Sequence, residues 1–501
     1  MYIIGIDIGT THSKAGLFDL NGRHIRTASR KTPTHHHEQG YAYYDPEEIW
    51  SLIASALQEI TADIPAEQIR SIGIASMAES GLMVDRSSGK AKSHFMPWFD
   101  SCSQPQADRI KQETDLVERF SLSGLHIGFK HGLAKILWLK EHQPQSLENA
   151  VWLSASGYML YRLTGQFASD YSLAARTLAF RIDTLEWDEP WIRHFGLDPA
   201  LFPPAYPAGE KMGDTTAAIQ SLGIAPQTPV TIAGHDHVAA ALSVGAVTPE
   251  IVYDSMGTAE TMVGTMAPKS LGQREYDAGL SFGIHIARGQ MFWMGGNASS
   301  GGSVEWLRGL LADEQLTYEH LLQLLAAVSP EPTGLLYYPY LTGSGAPLPQ
   351  STVKGSMIGL RKEHGKGEWL KGVLEGTAYQ LQMIREEAEG ISGQAIDALV
   401  VVGGGTRNPH WLQVKSDVLK VSLTVPDIEE ASLLGAALAS GIGAGIYADA
   451  QSAAGVVQSA VAKRVEPNDA HHERYRQLYE HGYKKLQTPL RTFFQDIAAL
   501  K

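Results

Sequence analysis

An α/β fold built from two similar halves is what this sequence predicts, on three observations. Two glycine–threonine turns, Asp7-Ile8-Gly9-Thr10-Thr11 and Asp254-Ser255-Met256-Gly257-Thr258, each lie between two strand-like stretches. The order strand–strand–strand–helix–strand that follows the first turn is repeated after the second. Each half also carries an apolar run opening into a helix, TPVTIAG before His235-Asp236 and ALVVV before Gly403-Gly404-Gly405. Gly lets backbone approach a ligand, and successive N–H groups in such a turn form an anion pocket. One turn alone is an ordinary hairpin. Two at the heads of matching halves suggest a duplicated phosphate-gripping unit around a shared nucleotide.

In chain order, residues 2–7, 14–20 and 24–32 read as strands, the last two joined by the tight-turn pair Asn21-Gly22. A helix follows from Pro46, with Asp45 as cap, Glu47 and Glu48 at its positive end, and Ile49, Trp50, Ile53, Leu57 and Ile60 on one face. Residues 70–77 form a buried strand that returns by a helical crossover. Residues 100–165 read as mainly helical, 198–213 as a proline-rich extended connector, and 228–234 as a strand leading into an alanine-rich helix. The boundary falls near 246, giving units 1–246 and 247–501. Beyond it come strands around Gly257-Thr258, strands at 279–287 and 290–295, and a helix in SSGGSVEWLRGLL. Then follow a helix at 367–389, a strand at 398–402, helices at 409–419 and 430–440, and a C-terminal helical segment at 467–498.

Bulk composition limits the function classes. The 501 residues exceed one ordinary core, and 44% hydrophobic with 19% charged residues is a globular balance. A net charge of −13 argues against general affinity for nucleic acid or anionic membrane. Cys102 is the only cysteine, and no apolar run is long enough to span a bilayer, so a cytoplasmic protein is expected.

Few residues combine the type and position that chemistry needs. Asp7 ends a buried strand beside the first turn, where a carboxylate either caps its own turn or meets a cation, Mg²⁺ being the natural one next to phosphate. Lys14, across the hairpin, reads as a phosphate ligand or a solvated strand lysine. Asp236 closes a strand and opens a helix, the place where ligand-facing residues of α/β sheets gather. It suits a general base, a plain helix cap, or a divalent-metal site shared with His235 and His237. His35-His36-His37 read as an exposed loop. Gly403–Asn408 permits a flat ligand near a helix start, but its spacing is not that of a dinucleotide site, and no P-loop run exists.

Assembled, these pieces resemble the FGGY carbohydrate kinases, the family of glycerol kinase, xylulokinase and gluconokinase. The similarity rests on IGIDIGTT, SDYSLAARTLAFRIDTLEWD, IAGHDH, DSMGT, YLTGSGAPLPQSTVKGSMIGL, LEGTAYQL, VVGGGTRNPHWLQVKSDVL and EEASLLGAALAS, in order over nearly the whole chain. The resemblance implies two actin-like (ribonuclease H-like) domains with a cleft between them, sugar mainly on 1–246 and ATP on 247–501. It implies Asp236 as catalytic base and Asp7 as holder of Mg²⁺. Thr10, Thr11 and Lys14 would meet the terminal phosphates, with Gly257 and Thr258 opposite, and Gly301, Gly404 and Asn408 on the adenosine side. Ala78, Glu79, Trp98, Asp100, Lys130 and His237, together with Asp236, would line the sugar site.

The departures lie in that site. Xylulokinases have Gln-Met-His where this chain has Met77-Ala78-Glu79, and glycerol kinase has Arg-Glu where it has Ala78-Glu79. Gly343-Ser344-Gly345-Ala346-Pro347 lacks an arginine common in relatives. Lys130 is either a surface lysine or, if it faces the pocket, a group suited to a carboxylate or a hydroxyl-rich acid. The implied activity is transfer of the ATP γ-phosphoryl group to a hydroxyl of a small carbohydrate. A ketose such as a pentulose comes first, and an aldonate or polyol is the alternative. Readings from other classes are a non-catalytic actin-like nucleotide switch and a metal-dependent hydrolase. The partners expected are the sugar and ATP, without nucleic acid or membrane, and a homodimer is allowed for.

Overall fold

The computed structural model describes residues 1–311, 316–457 and 461–500. The first half contains β1 (Tyr2–Ile8), β2 (His12–Asp19), β3 (His24–Lys31), α1 (Pro46–Thr61), β4 (Ile69–Ser76), α2 (Ala155–Thr164), β5 (Lys211–Asp214), β6 (Pro229–His235) and α3 (Asp236–Ser243). Its six-stranded sheet runs β5-β6-β4-β1-β2-β3. Asp45 caps α1 by accepting from the Glu48 N–H, and of the predicted apolar face Ile49, Ile53, Leu57 and Ile60 are buried and Trp50 is half-buried.

The second half contains β7 (Val252–Met256), β8 (Glu260–Met266), β9 (Ser281–Ile284), β10 (Met291–Asn297), α4 (Gly301–Leu311), α5 (Lys366–Ser392), β11 (Ala398–Val402), α6 (Pro409–Leu419), β12 (Ser422–Pro426), α7 (Ala431–Gly443), β13 (Val461–Val465), α8 (Asp469–Leu478) and α9 (Lys484–Ala498). Its sheet runs β9-β10-β8-β7-β11-β12-β13. Five strands correspond between the halves, β6-β4-β1-β2-β3 and β12-β11-β7-β8-β10. In each, the strand before the glycine–threonine turn (β1, β7) is antiparallel to the one after it (β2, β8) and parallel to its neighbour on the other side (β4, β11). The repeated order expected from the sequence is therefore present as a repeated sheet.

Some strands are additions to the expected order, and one replaces an expected loop. Residues 100–165, expected to be mainly helical, include a strand at Ala150–Ser154 paired antiparallel with Gly81–Asp85. The connector at 198–213 ends in β5, an edge strand antiparallel to β6. Strand β12, between α6 and α7, was not expected. Its five residues are too short to show a period between two strong helical patterns. His35–His36 form a short strand against Ala42–Tyr43 rather than a free loop. The C-terminal segment does fold back on the second half: Tyr338 donates to the Tyr483 carbonyl and Tyr475 to Glu375. Among the described residues no helix is long and apolar enough to cross a membrane.

Helix α7 joins the halves. Although it follows the second sheet in the chain, it lies on the first, across β1, β4 and β6, and packs along α3. Small residues make the approach close. A Cβ on Gly73 of β4 would stand 1.8 Å from the Ala436 carbonyl oxygen, one on Gly5 of β1 2.0 Å from that of Leu433, and one on Gly435 of α7 1.7 Å from that of Ala239. Ser71 and Ser440 hydrogen-bond across the same interface at 2.7 Å. Gly73→Ala should therefore push α7 off the sheet and cost about 1–3 kcal/mol, the usual range for overpacking. Thermal unfolding of that variant should start at a lower temperature than wild type.

Candidate active site

Parallel strands place their functional groups at their carboxyl ends. Asp7 of β1 is level with Ala75 of β4, which is level with Gly234 of β6, so Asp7 and the start of α3 share one sheet edge. The hairpin after Asp7 is closed by the Gly9 N–H donating to the His12 carbonyl at 3.0 Å. Oδ1 of Asp7 is shut from solvent and has no hydrogen-bond partner among the described residues. Burial and the nearby Asp236 carboxylate push Asp7 up to about 8, against the pull of Lys14. A buried carboxylate oxygen without a donor beside a second carboxylate is the donor set a hard divalent cation satisfies.

Asp236 sits at the first turn of α3. His235 Nε2 stands 3.0 Å from its Oδ1, and the His237 N–H donates to the same oxygen at 2.7 Å. Burial alone would raise this carboxyl, but the two histidines outweigh it and hold it at about 2. Across the cleft, Tyr253 of β7 places its hydroxyl 3.4 Å from His237 Nδ1. The ligand atoms of His235, Asp236 and His237 lie within 4.8 Å of one another, so this run could also hold a metal.

Lys14 has a partner in the second half of the chain. Its ammonium donates to both oxygens of Glu430, at 2.7 and 2.6 Å, so in this structure it bridges β2 to the residue preceding α7. Thr10 accepts from Trp98 Nε1 at 3.0 Å, tying the turn to the expected sugar side, while Thr11 is exposed, its hydroxyl beside the His12 ring and its carbonyl accepting the Thr32 N–H.

The sugar-side residues partly converge. Glu79 holds the left-handed backbone conformation (φ 57°), and its side chain is 6% exposed. Its Oε1 lies 3.2 Å from Arg176 Nε, 3.5 Å from Lys130 Nζ and 4.0 Å from His131 Nδ1. Burial raises the Glu79 carboxyl, but Arg176 and Lys130 overcome it and hold it far below the usual range. Lys130 therefore faces the Glu79 carboxylate rather than bulk solvent alone. Behind Glu79 and Arg176 lies a cavity of about 20 Å³ lined also by Ser154, Ser169 and Thr177, enough for roughly one water. Ala78 is buried in the core beneath this loop. Both oxygens of Asp100 accept backbone N–H groups, from Ala42 and Cys102, so Asp100 closes its own loop.

On the opposite sheet, Gly257 and Thr258 meet the start of α4. The Gly301 N–H donates to the Gly257 carbonyl (3.2 Å) and that of Gly302 to the Thr258 carbonyl (2.9 Å). A Cβ on Gly301 would stand 2.4 Å from the Gly257 oxygen, so this glycine serves a close approach and its N–H is already engaged. Gly404 faces open space. Asn408 is buried and caps α6 by accepting from His410 and Trp411, leaving Nδ2 without a partner among the described residues. Arg176, His131, Tyr253 and Glu430 were not anticipated as site residues. Arg176 and Glu430 stood inside conspicuous motifs, SDYSLAARTLAF and EEASLLGAALAS, which signalled them only as neighbours of other residues.

Comparison with known proteins supplies the family. Residues 2–243 match the FGGY family of carbohydrate kinases, N-terminal domain, and residues 252–444 match its C-terminal domain. The chain belongs to the FGGY family of carbohydrate kinases. Among curated relatives, it is 26% identical to the xylulose kinase of Bacillus subtilis over 98% of this chain and 99% of that one. It is 28% identical to the gluconokinase of the same organism, covering 87% and 86%. In fold it is similar to the gluconate kinase from Lactobacillus acidophilus, with a TM-score of 0.91 at 21% identity and 99% coverage of both chains. This FGGY protein is therefore an ATP-dependent carbohydrate kinase with the two-domain, actin-like α/β fold of its family.

The Asp7 geometry yields a pH test. Its raised value means that the folded, metal-free enzyme keeps a proton the unfolded chain has lost between about pH 4 and about 8. Its contribution to stability therefore falls as pH rises through that window, by at most about 1.4 kcal/mol per pH unit. Melting curves in chelator should show a wild-type slope that Asp7→Asn lacks. At pH 8 a divalent cation should raise the melting temperature of wild type and not of the variant.

Proposed function

We propose that this kinase transfers the γ-phosphoryl group of ATP to a hydroxyl of a small open-chain carbohydrate, a ketose such as a pentulose being the first choice. Residues 1–246 hold the carbohydrate, the first phosphate turn and the base; residues 247–501 hold ATP. The lone Cys102 and the need for ATP fit a cytoplasmic setting. The observation carrying the site assignment is the pairing of Asp236 with Asp7 at one sheet edge, with one Asp7 oxygen lacking a donor.

In this reading the substrate chain lies between Glu79 and Asp236, with Trp98, His237 and Lys130 around it. Glu79, held ionised, accepts from substrate hydroxyls. Asp236, fixed by His235 and the His237 N–H, accepts the proton of the attacking hydroxyl as its oxygen bonds to phosphorus and the bond to the β-phosphate oxygen breaks. A carboxylate of low basicity suffices, because in a loose phosphoryl transfer the hydroxyl becomes strongly acidic only late. Asp7 would hold Mg²⁺, which when bound neutralises charge on the phosphate oxygens. The N–H groups of the Gly9 turn, with Thr10 and Thr11, and those of Gly257 and Thr258 would grip the phosphates from two sides. Lys14 would join them on leaving Glu430. Gly404 gives the adenine side room, with Asn408 beside it.

A sugar acid is the second reading, favoured by the position of Lys130. Lys130 and Arg176 set two cations against the one carboxylate of Glu79, leaving a cation for a substrate carboxylate. An ADP-release assay over pentuloses, alditols and aldonates decides between them by relative kcat/KM. On the preferred substrate, Asp236→Asn should lower kcat about 10²–10⁴-fold, the range for losing a positioned base, with KM for ATP nearly unchanged. Wild-type kcat in that variant would remove Asp236 from the mechanism.

A further inference from the structure

Beneath the second glycine–threonine turn lies a charged cluster that the mechanism above does not use. Asp254 of β7 and Glu260 of β8 flank the turn, and Glu260 is paired in register with Met256. Asp254 precedes Met256 by two, so the two carboxylates stand on the same face of the hairpin as diagonal neighbours. Like charges there repel. Lys415 of α6 enters between them, donating to Asp254 Oδ2 at 2.5 Å and to Glu260 Oε1. All three side chains are wholly buried. Ser300, immediately before α4, donates to the other Glu260 oxygen at 2.6 Å.

The cluster thus ties together every segment on the nucleotide side. β7 and β8 carry the turn, Ser300 begins the helix whose Gly301 and Gly302 bond to it, and α6 leads back to the loop of Gly404 and Asn408. That loop also presses on the turn: Cβ atoms on Gly403 and Gly405 would stand 2.6 and 2.8 Å from the Met256 carbonyl oxygen and Cβ. The arrangement is expensive. Two buried carboxylates share one ammonium, burial pushes Asp254 up to about 7 even against Lys415, and Asp254 Oδ1 has no partner among the described residues. An apolar trio of similar volume is commonly as stable or more so. What charges add over an apolar filling is direction, since three of the four carboxylate oxygens are held by donors.

We propose that Lys415 is a positioning residue for ATP: by holding Asp254 and Glu260 together it sets the spacing of the Gly257-Thr258 turn against α4 and the Gly403–Asn408 loop. The inference rests on the assignment of ATP to this half. Lys415 itself touches no substrate, so its effect should be confined to nucleotide affinity and leave the carbohydrate side unchanged.

The test separates KM for MgATP from KM for the carbohydrate. Lys415→Met alone strands two buried carboxylates and risks unfolding. The informative protein is the full-length triple variant Lys415→Met, Asp254→Asn, Glu260→Gln, which removes all charge at nearly constant volume. Expected are a cooperative melt, a rise of tenfold or more in KM for MgATP with a matching loss of ATP affinity by calorimetry, and a carbohydrate KM within twofold of wild type. Ser300→Ala, which frees only the α4 link, should show the same pattern at about threefold. A folded triple variant with unchanged KM for MgATP, or with both KM values rising together, overturns the proposal. Wild type is assayed first. If it binds ATP away from Gly257-Thr258, as shown by full ATP affinity in Thr258→Trp, the ATP assignment fails, and that result is distinct from a failure of Lys415.

Discussion

Two carboxylates at one sheet edge set the terms for the rest of this molecule. Asp7 lies near the carboxyl end of β1 and Asp236 directly after β6, with β4 between those strands, and each disfavours the other's charge. The fold treats them differently. Asp236 has His235 Nε2 and the His237 N–H on one of its oxygens and stays ionised. Asp7 keeps a buried oxygen for which the described residues offer no donor, and burial favours its protonated form. Environment alone thereby sets two identical groups apart, one ionised and one protonated, a division that suits the proposed roles of base and cation holder.

The second sheet meets that edge because the halves are bound by close backbone contact rather than by a loose linker. Helix α7 lies on β1, β4 and β6 through Gly5, Gly73 and Gly435, positions where a methyl group would strike a carbonyl oxygen. Glu430, just before this helix, reaches Lys14 behind the first phosphate turn. The same helix that fastens the halves therefore carries the carboxylate that occupies the lysine proposed for phosphate. The residues proposed for sugar and for phosphate are linked as well, since Trp98 donates to Thr10.

Local features were legible in the sequence, and features set by tertiary partners were not. The two turns, the strands flanking them, the cap and apolar face of α1, and the strand-to-helix junction at Asp236 all follow from residue type and period, and all stand where expected. The strand at Ala150–Ser154 was lost among helical neighbours, because five residues carry too little periodicity to compete. The packing of α7 on the first sheet was out of reach, since GAALASG reads as a small-residue helix without naming its partner. Charge partners were equally hidden. Lys14 and Glu430 are far apart in the chain, and nothing in either motif announces their pairing. Asp100 and Gly301 resembled ligand groups by motif, yet backbone bonds already engage both, so their types fit a structural need as well as a chemical one. For Lys130 the sequence left two readings, and its distance to Glu79 favours the one that faces the pocket.

The central claim is that one cleft holds the nucleotide's phosphates between the two turns with a cation on Asp7. Its most direct test is a crystal structure of the full chain with Mn²⁺ and a non-hydrolysable ATP analogue, the metal located by anomalous scattering. The account predicts a manganese peak within bonding distance of Asp7 and phosphate oxygens on the N–H groups of Gly257 and Thr258. A peak held by His235 and His237 with Asp7 unliganded, or a nucleotide lying away from both turns, would contradict it.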